Sequence, residues 1–188
     1  MIIFCDIDGV IADIRHRLHF KDEGDYDAFY ADDNLAKDEL NRKGMATLTM
    51  LVGLDQVETS LTFITGRPER TRSATERWLA KNLPDGLAYR CHSLRMRQDG
   101  DYRKSAVVKA ELAKEILIEY GWLSWDGELL FTTDSILFID DDPTNVKAVC
   151  EELPSIIGLT FGTKRFDELV KEANARPEKL SREKVDEV

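Results

Sequence analysis

Short apolar segments alternate with longer segments of helical spacing along most of this chain. Five apolar runs are typical of buried strands; the first ends at Cys5, and the others cover residues 61–64, 87–91, 136–139 and 156–161. Apolar residues at spacings of three and four predict helices over residues 35–54, 68–81, 103–120, 143–152 and 164–173. Strands that alternate with helices form parallel sheets covered by helices on both faces. We therefore predict a three-layer, Rossmann-like α/β sandwich around a central, mainly parallel five-stranded sheet.

The remaining segments lack this alternation. Residues 11–33 are rich in His, Asp and Tyr, and we interpret them as a loop with a short helix near residues 26–31. Residues 122–135 are aromatic and apolar, and either a helix-to-strand connection or a partner surface fits this composition. Residues 174–188 are charge-dense, which predicts a frayed helix or tail. A chain of 188 residues is most simply one domain, here residues 1–173 followed by that tail.

Carboxylates directly follow two of the predicted strands. Asp6 and Asp8 come two residues apart after the first strand, so both side chains can enter one crevice at the carboxyl edge of the sheet. Asp140 and Asp141 follow the fourth strand in the same way. Neighbouring acids repel each other unless a cation or proton lies between them, and Mg²⁺ prefers oxygen ligands. The pattern predicts one divalent metal site built from both strand ends.

A further predicted strand ends in Thr65, Gly66 and Arg67, where a hydroxyl, a permissive backbone and a guanidinium could meet an anion. Together these segments resemble the motifs of the haloacid dehalogenase superfamily of phosphohydrolases. The sequence DIDGV at 6–10 is similar to its first motif, ITGR at 64–67 to its second, and FIDD at 138–141 to its fourth. The third motif is a single lysine, which we assign to Lys109, with Lys104 as the alternative. The resemblance covers roughly residues 1–165.

A narrower resemblance is to the 3′-phosphatase half of bacteriophage polynucleotide kinase–phosphatases. It rests on Arg17, which lies eleven residues after Asp6, and on the basic stretch over residues 94–109. Those relatives usually have an aspartate where this chain has Ser105. The kinase half needs a phosphate loop of the GxxxxGK[ST] type, and the sequence contains no such segment. The resemblance therefore implies phosphatase activity and does not imply kinase activity.

The resemblance also implies a role for each motif residue. Asp6 would be the nucleophile that forms an aspartyl-phosphate, and Asp8 would be the general acid and then the general base. Mg²⁺ would be held by the side chains of Asp6 and Asp140 and by the backbone carbonyl of Asp8. Asp141 would be a further ligand or would lie just outside the ligands. The groups that would bind or neutralise the substrate phosphates are Thr65, Gly66, Arg67, Arg17 and Lys109.

The spacing of the motifs bears on the substrate. Roughly fifty residues separate the first two motifs, and a core helix uses part of that length, so we expect a small cap or none. An open site suits a bulky substrate, and our leading hypothesis is a Mg²⁺-dependent phosphatase of nucleic-acid 3′-phosphate ends or nucleotides. A small-molecule or nucleotide monophosphatase of the same superfamily is the first alternative. A phospho-acceptor signalling module, which also combines acids, a threonine and a lysine around Mg²⁺, is the second.

Bulk composition adds limits. The net charge of −10 argues against broad attraction to nucleic acid or membranes, and no apolar stretch approaches the ~20 residues that cross a bilayer. Arginines nevertheless cluster at residues 15–17, 67–72 and 90–103, either as a basic collar around the site or as partners of nearby acids. Three cysteines without CxxC spacing fit a reduced, cytoplasmic setting. The sequence indicates a phosphorylated substrate as partner and no obligate protein partner.

Overall fold

The computed structural model describes residues 1–53, 59–124 and 136–163. The predicted helix over 164–173, the predicted tail over 174–188 and residues 125–135 of the aromatic segment lie outside this part of the chain. None of the helices in the described part has the length and apolar character needed to cross a membrane.

Strands and helices alternate in the order that the sequence predicts. The strands of the described residues are β1 (Ile2–Cys5), β2 (Ala12–Asp13), β3 (Glu39–Leu40), β4 (Ser60–Pro68), β5 (Cys91–Arg97), β6 (Ile136–Asp140) and β7 (Ile156–Thr160). The α-helices are α1 (Leu18–Asp22), α2 (Tyr26–Phe29), α3 (Asp32–Leu35), α4 (Arg42–Gly53), α5 (Arg72–Asn82), α6 (Asp85–Arg90), α7 (Ser105–Glu119) and α8 (Pro143–Glu152).

The central sheet contains five parallel strands in the order β5-β4-β1-β6-β7. The first strand is therefore central, and Ile3 of β1 pairs with Leu61 of β4 on one side and Leu137 of β6 on the other. Because all five strands run in the same direction, their carboxyl ends meet at one edge. This order brings the ends of β1, β4 and β6 together.

The two faces of the sheet pack against different helices. Side chains of a strand alternate between faces, and β1 shows this directly. Ile3 and Cys5 belong to a buried cluster with residues of α4, α5 and α6, whereas Ile2 and Phe4 pack with residues of α7 and α8. The predicted three-layer α/β sandwich is confirmed.

The segment between β1 and α4 is a small insertion at the carboxyl edge of the sheet. It contains the antiparallel pair β2–β3, which encloses a short 3₁₀ turn (Arg15–Arg17) and the helices α1, α2 and α3. The short helix predicted near residues 26–31 corresponds to α2. The insertion fits the expected small cap.

Two predicted boundaries were wrong. Residues 87–91 were predicted as a strand, but Asp85–Arg90 is helical and the strand β5 begins at Cys91. An apolar run this short does not distinguish a strand from a buried helix turn. The helix predicted over 35–54 begins only at Arg42, because the preceding residues form α3 and β3.

Candidate active site

The aspartates that follow β1 and end β6 meet at the carboxyl edge of the sheet. The backbone N–H of Asp6 donates to the carbonyl of Ile139 at 2.8 Å, which fixes the end of one strand against the other. One carboxylate oxygen from each of Asp6, Asp140 and Asp141 lies within 4.8 Å of the others. We call these three residues, together with Lys109, the acidic cluster.

Lys109 is the cation of this cluster. It lies on α7 with its side chain only 3% exposed, and its Nζ is 2.7 Å from Asp6 Oδ2 and 2.6 Å from Asp140 Oδ2. Burial opposes the charged form, but Asp6 and Asp140 outweigh it, so the pKa of Lys109 is raised above its ordinary value. Lys104, the alternative motif lysine, lines the cleft outside the cluster. Lys109 therefore stays protonated and bridges the two strand ends.

Asp140 is oriented by the start of α8. Its carboxylate accepts hydrogen bonds from the side-chain amide of Asn145 at 3.0 and 3.2 Å and from the backbone N–H of Asp142 at 2.9 Å. Asp142 caps α8 through its own carboxylate, which accepts from the backbone N–H of Thr144. The buried Asp140 therefore has a fixed orientation before any ligand binds.

Asp6 differs from Asp140 in one important respect. Its Oδ1 is buried and has no hydrogen-bond partner among the described residues. An unsatisfied carboxylate oxygen is costly to bury, and burial raises the pKa of Asp6 well above its ordinary value although Lys109 opposes the shift. An oxygen of this kind, beside two further carboxylates, fits a divalent cation or the phosphorus atom of a substrate. The residues present therefore suit the metal that the sequence predicts.

Asp141 closes the cluster by packing on the turn after β1. Gly9 has φ +79°, and a Cβ at this position would lie 2.0 Å from Asp141 Oδ2. Glycine is required here both for the left-handed backbone conformation and for the space that the carboxylate occupies. Burial, with a contribution from Asp140, raises the pKa of Asp141 to about 6.

Asp8, two residues after Asp6, enters a different environment. Its Oδ1 accepts from Arg17 Nη2 at 2.8 Å, from Arg67 Nε at 2.9 Å and from Arg67 Nη2. Both guanidinium groups also bind the fully buried carboxylate of Asp38. We call Asp8, Asp38, Arg17 and Arg67 the arginine–carboxylate cluster. It contains two positive and two negative groups and is neutral when all four are ionised.

The two oxygens of Asp8 are not equivalent. Its three contacts to Arg17 and Arg67 all involve Oδ1, and no described residue donates a hydrogen bond to Oδ2. The side chain is 17% exposed and lines the cleft beside Asp6. Burial raises the pKa of Asp8, but Arg67 and Arg17 outweigh burial and lower it. One oxygen of Asp8 is thus anchored and the other is available to a substrate.

Arg17 and Arg67 are fully buried, which changes what they contribute. Their predicted direct contact with substrate phosphates stays a prediction. In the structure, both guanidinium groups bind carboxylates. Other arginines of the three windows also have acidic partners: Arg15 pairs with Asp13, Arg72 with Glu69, Arg95 with Glu119, and Arg103 with Asp101 and Glu111. These arginines therefore fit the alternative in which the clustered arginines are partners of nearby acids.

The end of β4 is organised through its backbone. The carbonyl of Gly66 accepts hydrogen bonds from Tyr30 Oη at 3.3 Å and Arg97 Nε at 3.1 Å. A Cβ at Gly66 would lie 3.0 Å from Ser105 Oγ, so Ser105 packs closely on this motif. Thr65 is buried, and its hydroxyl accepts the backbone N–H of Arg67.

A cleft of about 690 Å³ opens over both clusters. The buried Asp6 and Lys109 line its floor beside Asp8, and the exposed residues of its rim include Lys21, Arg70, Tyr102, Lys104, Asp27, Asp141 and Asp142. Tyr102 is 95% exposed, but its loop is fixed: Arg97 Nη1 binds the carbonyls of Asp101 and Arg103, the residues on either side of it.

Several contributors to the site were not predicted from the sequence. Asn145 has a weak signal, since it lies in the first turn of the helix after the aspartates. Asp38 has none, because its partners are 21 and 29 residues away in the chain. Tyr30 and Arg97 act on a backbone carbonyl, and sequence patterns carry no information on such a contact.

The parallel sheet, its strand order and the carboxylates at its carboxyl edge define an α/β phosphatase domain of the haloacid dehalogenase type. A family model described as the polynucleotide kinase PNKP phosphatase domain matches residues 1–122. The chain belongs to this family. No curated protein sequence matches it.

Two solved structures share the fold, and a third shows a weaker likeness. A chain in the structure of the Pnkp1/Rnl/Hen1 RNA repair complex is 23% identical with a TM-score of 0.56, covering 84% of this chain and 41% of that one. A second Pnkp1/Rnl/Hen1 structure gives 24% identity and a TM-score of 0.55, covering 84% and 44%. The chain thus spans less than half of these relatives. The HAD domain of the effector protein Lem4 from Legionella pneumophila is 16% identical with a TM-score of 0.45, covering 91% and 92%.

Proposed function

We propose that this domain is a Mg²⁺-dependent phosphomonoester hydrolase that works through an aspartyl-phosphate on Asp6. The observation that carries the proposal is Oδ1 of Asp6, which has no hydrogen-bond partner in the described part of the chain and is held beside Lys109 at the floor of the cleft. Mg²⁺ held by Asp6, Asp140 and Asp141 would neutralise charge on the phosphoryl oxygens. Phosphate monoesters are anions, so neutralisation and alignment are the main requirements of the reaction.

The protein residues divide the proton and phosphoryl transfers between them. An oxygen of Asp6 forms a bond to phosphorus while the bond from phosphorus to the ester oxygen breaks, and the Oδ2 of Asp8 gives a proton to the departing oxygen. Arg17 and Arg67 keep Asp8 ionised in the free site, and the negative phosphoryl group favours its protonated form when the substrate binds. Asp8 then takes a proton from the water that attacks phosphorus and releases phosphate from Asp6.

The proposed substrate is a 3′-phosphorylated nucleic-acid end or nucleotide. The insertion between β1 and α4 is small, and the cleft is lined by Lys21 and Lys104 and by an exposed aromatic ring on a fixed loop. Bases stack on such rings without regard to sequence. The family is that of a polynucleotide kinase phosphatase domain, and one structural neighbour belongs to an RNA repair complex. A small-molecule or nucleotide monophosphatase is the second candidate, favoured by the net charge of −10.

A substrate panel with Mg²⁺ tests the proposal. We expect phosphate release from a 3′-phosphorylated oligonucleotide with a kcat/KM above that for a nucleoside 3′-monophosphate and a sugar phosphate, and no release by Asp6→Asn. Preference for the sugar phosphate would favour the second candidate. Full activity of Asp6→Asn would remove the proposed nucleophile.

The rim tyrosine provides a separate test of the substrate class. Replacing Tyr102 by alanine should raise KM for the oligonucleotide about 10-fold, within the range expected for loss of one stacked base, with little change for a sugar phosphate. Tyr89→Ala is the matched control, because Tyr89 is 90% exposed and does not line the cleft. Equal effects of the two substitutions would count against a stacked base at Tyr102.

A further inference from the structure

Asp38 is a buried carboxylate that none of the motifs accounts for. It lies between α3 and β3 with its side chain fully buried, and it is 29 residues from Arg67 of the second motif. A buried ionised carboxylate is costly unless its oxygens are fully hydrogen-bonded. Its position in the core therefore calls for a reason that packing alone does not supply.

The contacts of Asp38 lead directly to Asp8. Its Oδ1 accepts from Arg17 Nε at 2.7 Å, and its Oδ2 accepts from Arg17 Nη2 at 2.9 Å and from Arg67 Nη2 at 2.7 Å. The same two Nη2 atoms donate to Asp8 Oδ1. These four hydrogen bonds form a closed ring. In it, the Nη2 atoms of Arg17 and Arg67 alternate with Oδ2 of Asp38 and Oδ1 of Asp8. Each guanidinium therefore spans the two carboxylates.

The remaining contacts hold this ring in place. The indole N–H of Trp78 donates to the backbone carbonyl of Asp38 at 2.8 Å. Arg17 donates to the carbonyl of Phe29 and lies 4.3 Å from the centre of the Phe29 ring. Arg67 reaches Thr75 Oγ1 at 3.4 Å. Asp38 is thus anchored to the buried Trp78 through its backbone, and it does not line the cleft.

We propose that Asp38 is a positioning residue that fixes Asp8 for proton transfer by orienting Arg17 and Arg67. The inference rests on the proposed function, since it assigns Asp8 the protonation of the leaving oxygen. Without Asp38, two buried guanidinium charges share one carboxylate and gain freedom to turn. With it, the guanidinium groups are locked, they hold Oδ1 of Asp8, and Oδ2 faces the departing oxygen. Bidentate guanidinium–carboxylate geometry gives this kind of orientation.

The test separates positioning from general damage by varying the leaving group. The nitrophenolate of 4-nitrophenyl phosphate departs without taking up a proton, whereas the alkoxide of an alkyl phosphate needs a proton to depart. In Asp38→Asn, the loss of kcat/KM should be about 10-fold or more greater for the alkyl ester than for the nitrophenyl ester. This extra loss is a fraction of the rate enhancement that a general acid contributes. Because kcat/KM reports the steps up to departure of the leaving group, later hydrolysis of the intermediate does not enter.

Two further variants make the test robust. Trp78→Phe removes a hydrogen bond to the backbone of Asp38 and leaves every charge in place, so it should show the same selective loss in smaller degree even if Asp38→Asn fails to fold. Leu48→Ala, a cavity in the buried part of α4, is the control for lost stability and should lower both rates equally. In an Asp8→Asn background, Asp38→Asn should add no further selective loss.

The outcomes are distinct. Equal losses on the two esters in both Asp38→Asn and Trp78→Phe, or an undiminished selective loss in the Asp8→Asn background, would overturn the positioning role while leaving the phosphatase proposal intact. A wild-type protein that cleaves neither ester nor the oligonucleotide would overturn the proposed function and this inference with it.

Discussion

Asp6 and Asp8 are two residues apart, yet the clusters that they enter differ in charge balance. The acidic cluster has three carboxylates and one cation, Lys109, and Oδ1 of Asp6 has no partner among the described residues. The arginine–carboxylate cluster has two carboxylates and two guanidinium groups. A site with excess negative charge attracts a cation, whereas a neutral site in which every charge is paired is a rigid support.

The difference assigns separate tasks to the two sides of one strand end. The acidic cluster is prepared for ligands that are not part of the protein, a metal ion and a phosphoryl group. The arginine–carboxylate cluster leaves only one oxygen, Oδ2 of Asp8, to the cleft. Substitutions in the first should therefore change chemistry and metal response together, and substitutions in the second should change rates without changing the metal response.

The largest expected effect is that of Asp6→Asn. Loss of the nucleophile should lower kcat by about 10⁴-fold or more. The metal-free protein should not lose stability, because the substitution removes a buried charge with an unsatisfied oxygen. Steady-state kinetics and urea unfolding, measured on the same preparation, check both parts. An inactive but strongly destabilised variant would mean that the carboxylate mainly serves the fold.

The next largest effect is expected when the buried cation of either cluster is replaced, which allows the two clusters to be compared. Lys109→Met and Arg17→Met should each cost about 3–5 kcal/mol of unfolding free energy without metal, because each leaves buried carboxylates uncompensated. Mg²⁺ should stabilise Lys109→Met more than it stabilises the wild type, and Arg17→Met by the same amount as the wild type. Urea unfolding with and without Mg²⁺ provides the measurement. An equal Mg²⁺ response of both variants would remove the distinction between the clusters.

A smaller effect is expected where only the orientation of a ligand changes. Asn145→Ala removes the amide that holds Asp140, and such a change typically weakens metal binding about 10–100-fold. Titration of Mg²⁺ by calorimetry should show this loss. Asn82→Ala is a suitable control, since the amide of Asn82 binds the carbonyl of Trp78 on α5. Unchanged Mg²⁺ affinity in Asn145→Ala would place the ion elsewhere.

The smallest predicted effect is a pH dependence in the metal-free protein. The pKa of Asp141 is raised to about 6, mainly by burial, so the folded state keeps this proton longer than the unfolded state. Its contribution to stability is present at low pH and is lost as pH rises through about 6. Asp141→Asn should remove this slope and stabilise the metal-free protein above pH 6 by less than about 1 kcal/mol, since the group is partly exposed.

The control and the metal response make this prediction specific. Asp27→Asn, at an exposed carboxylate of the same cleft, should leave the slope unchanged. Mg²⁺ should reverse the order of stabilities above pH 6, because the ionised Asp141 then has a cation to bind. Thermal unfolding between pH 4 and 8 covers the window. A wild type that gains stability relative to Asp141→Asn as pH rises without metal would contradict the sign.

The sequence predicted the parts of the fold that depend on local pattern. Apolar runs that alternate with helical segments were sufficient to predict a parallel sheet, and the aspartates after two of these runs predicted that Asp6 and Asp140 meet. β5 was misplaced because Arg95 and Arg97 give it a polar sequence, while the apolar residues just before it belong to α6. The other edge strand, β7, is apolar and was predicted at its observed position, so the apolar run carries the signal.

The site was predictable to the extent that its residues lie at strand ends. The three aspartates of the acidic cluster follow from such positions, whereas Lys109 lies on α7 and was assigned from the family resemblance. The partner of Arg17 and Arg67 does not follow from its position, because Asp38 reaches them only after the insertion between β1 and α4 has folded, and nothing near it in sequence indicates burial. The sequence therefore suggested that these arginines meet substrate phosphates, whereas the structure pairs both with carboxylates.

The most direct test is chemical trapping of the covalent intermediate. The enzyme is mixed with Mg²⁺ and a 3′-phosphorylated oligonucleotide, quenched in acid during turnover and reduced with borohydride, which converts an aspartyl-phosphate to homoserine. Mass spectrometry of the first peptide should show homoserine at position 6 in the turnover sample and none without substrate. Turnover with an unmodified Asp6, or with homoserine at another aspartate such as Asp8 or Asp141, would contradict the account.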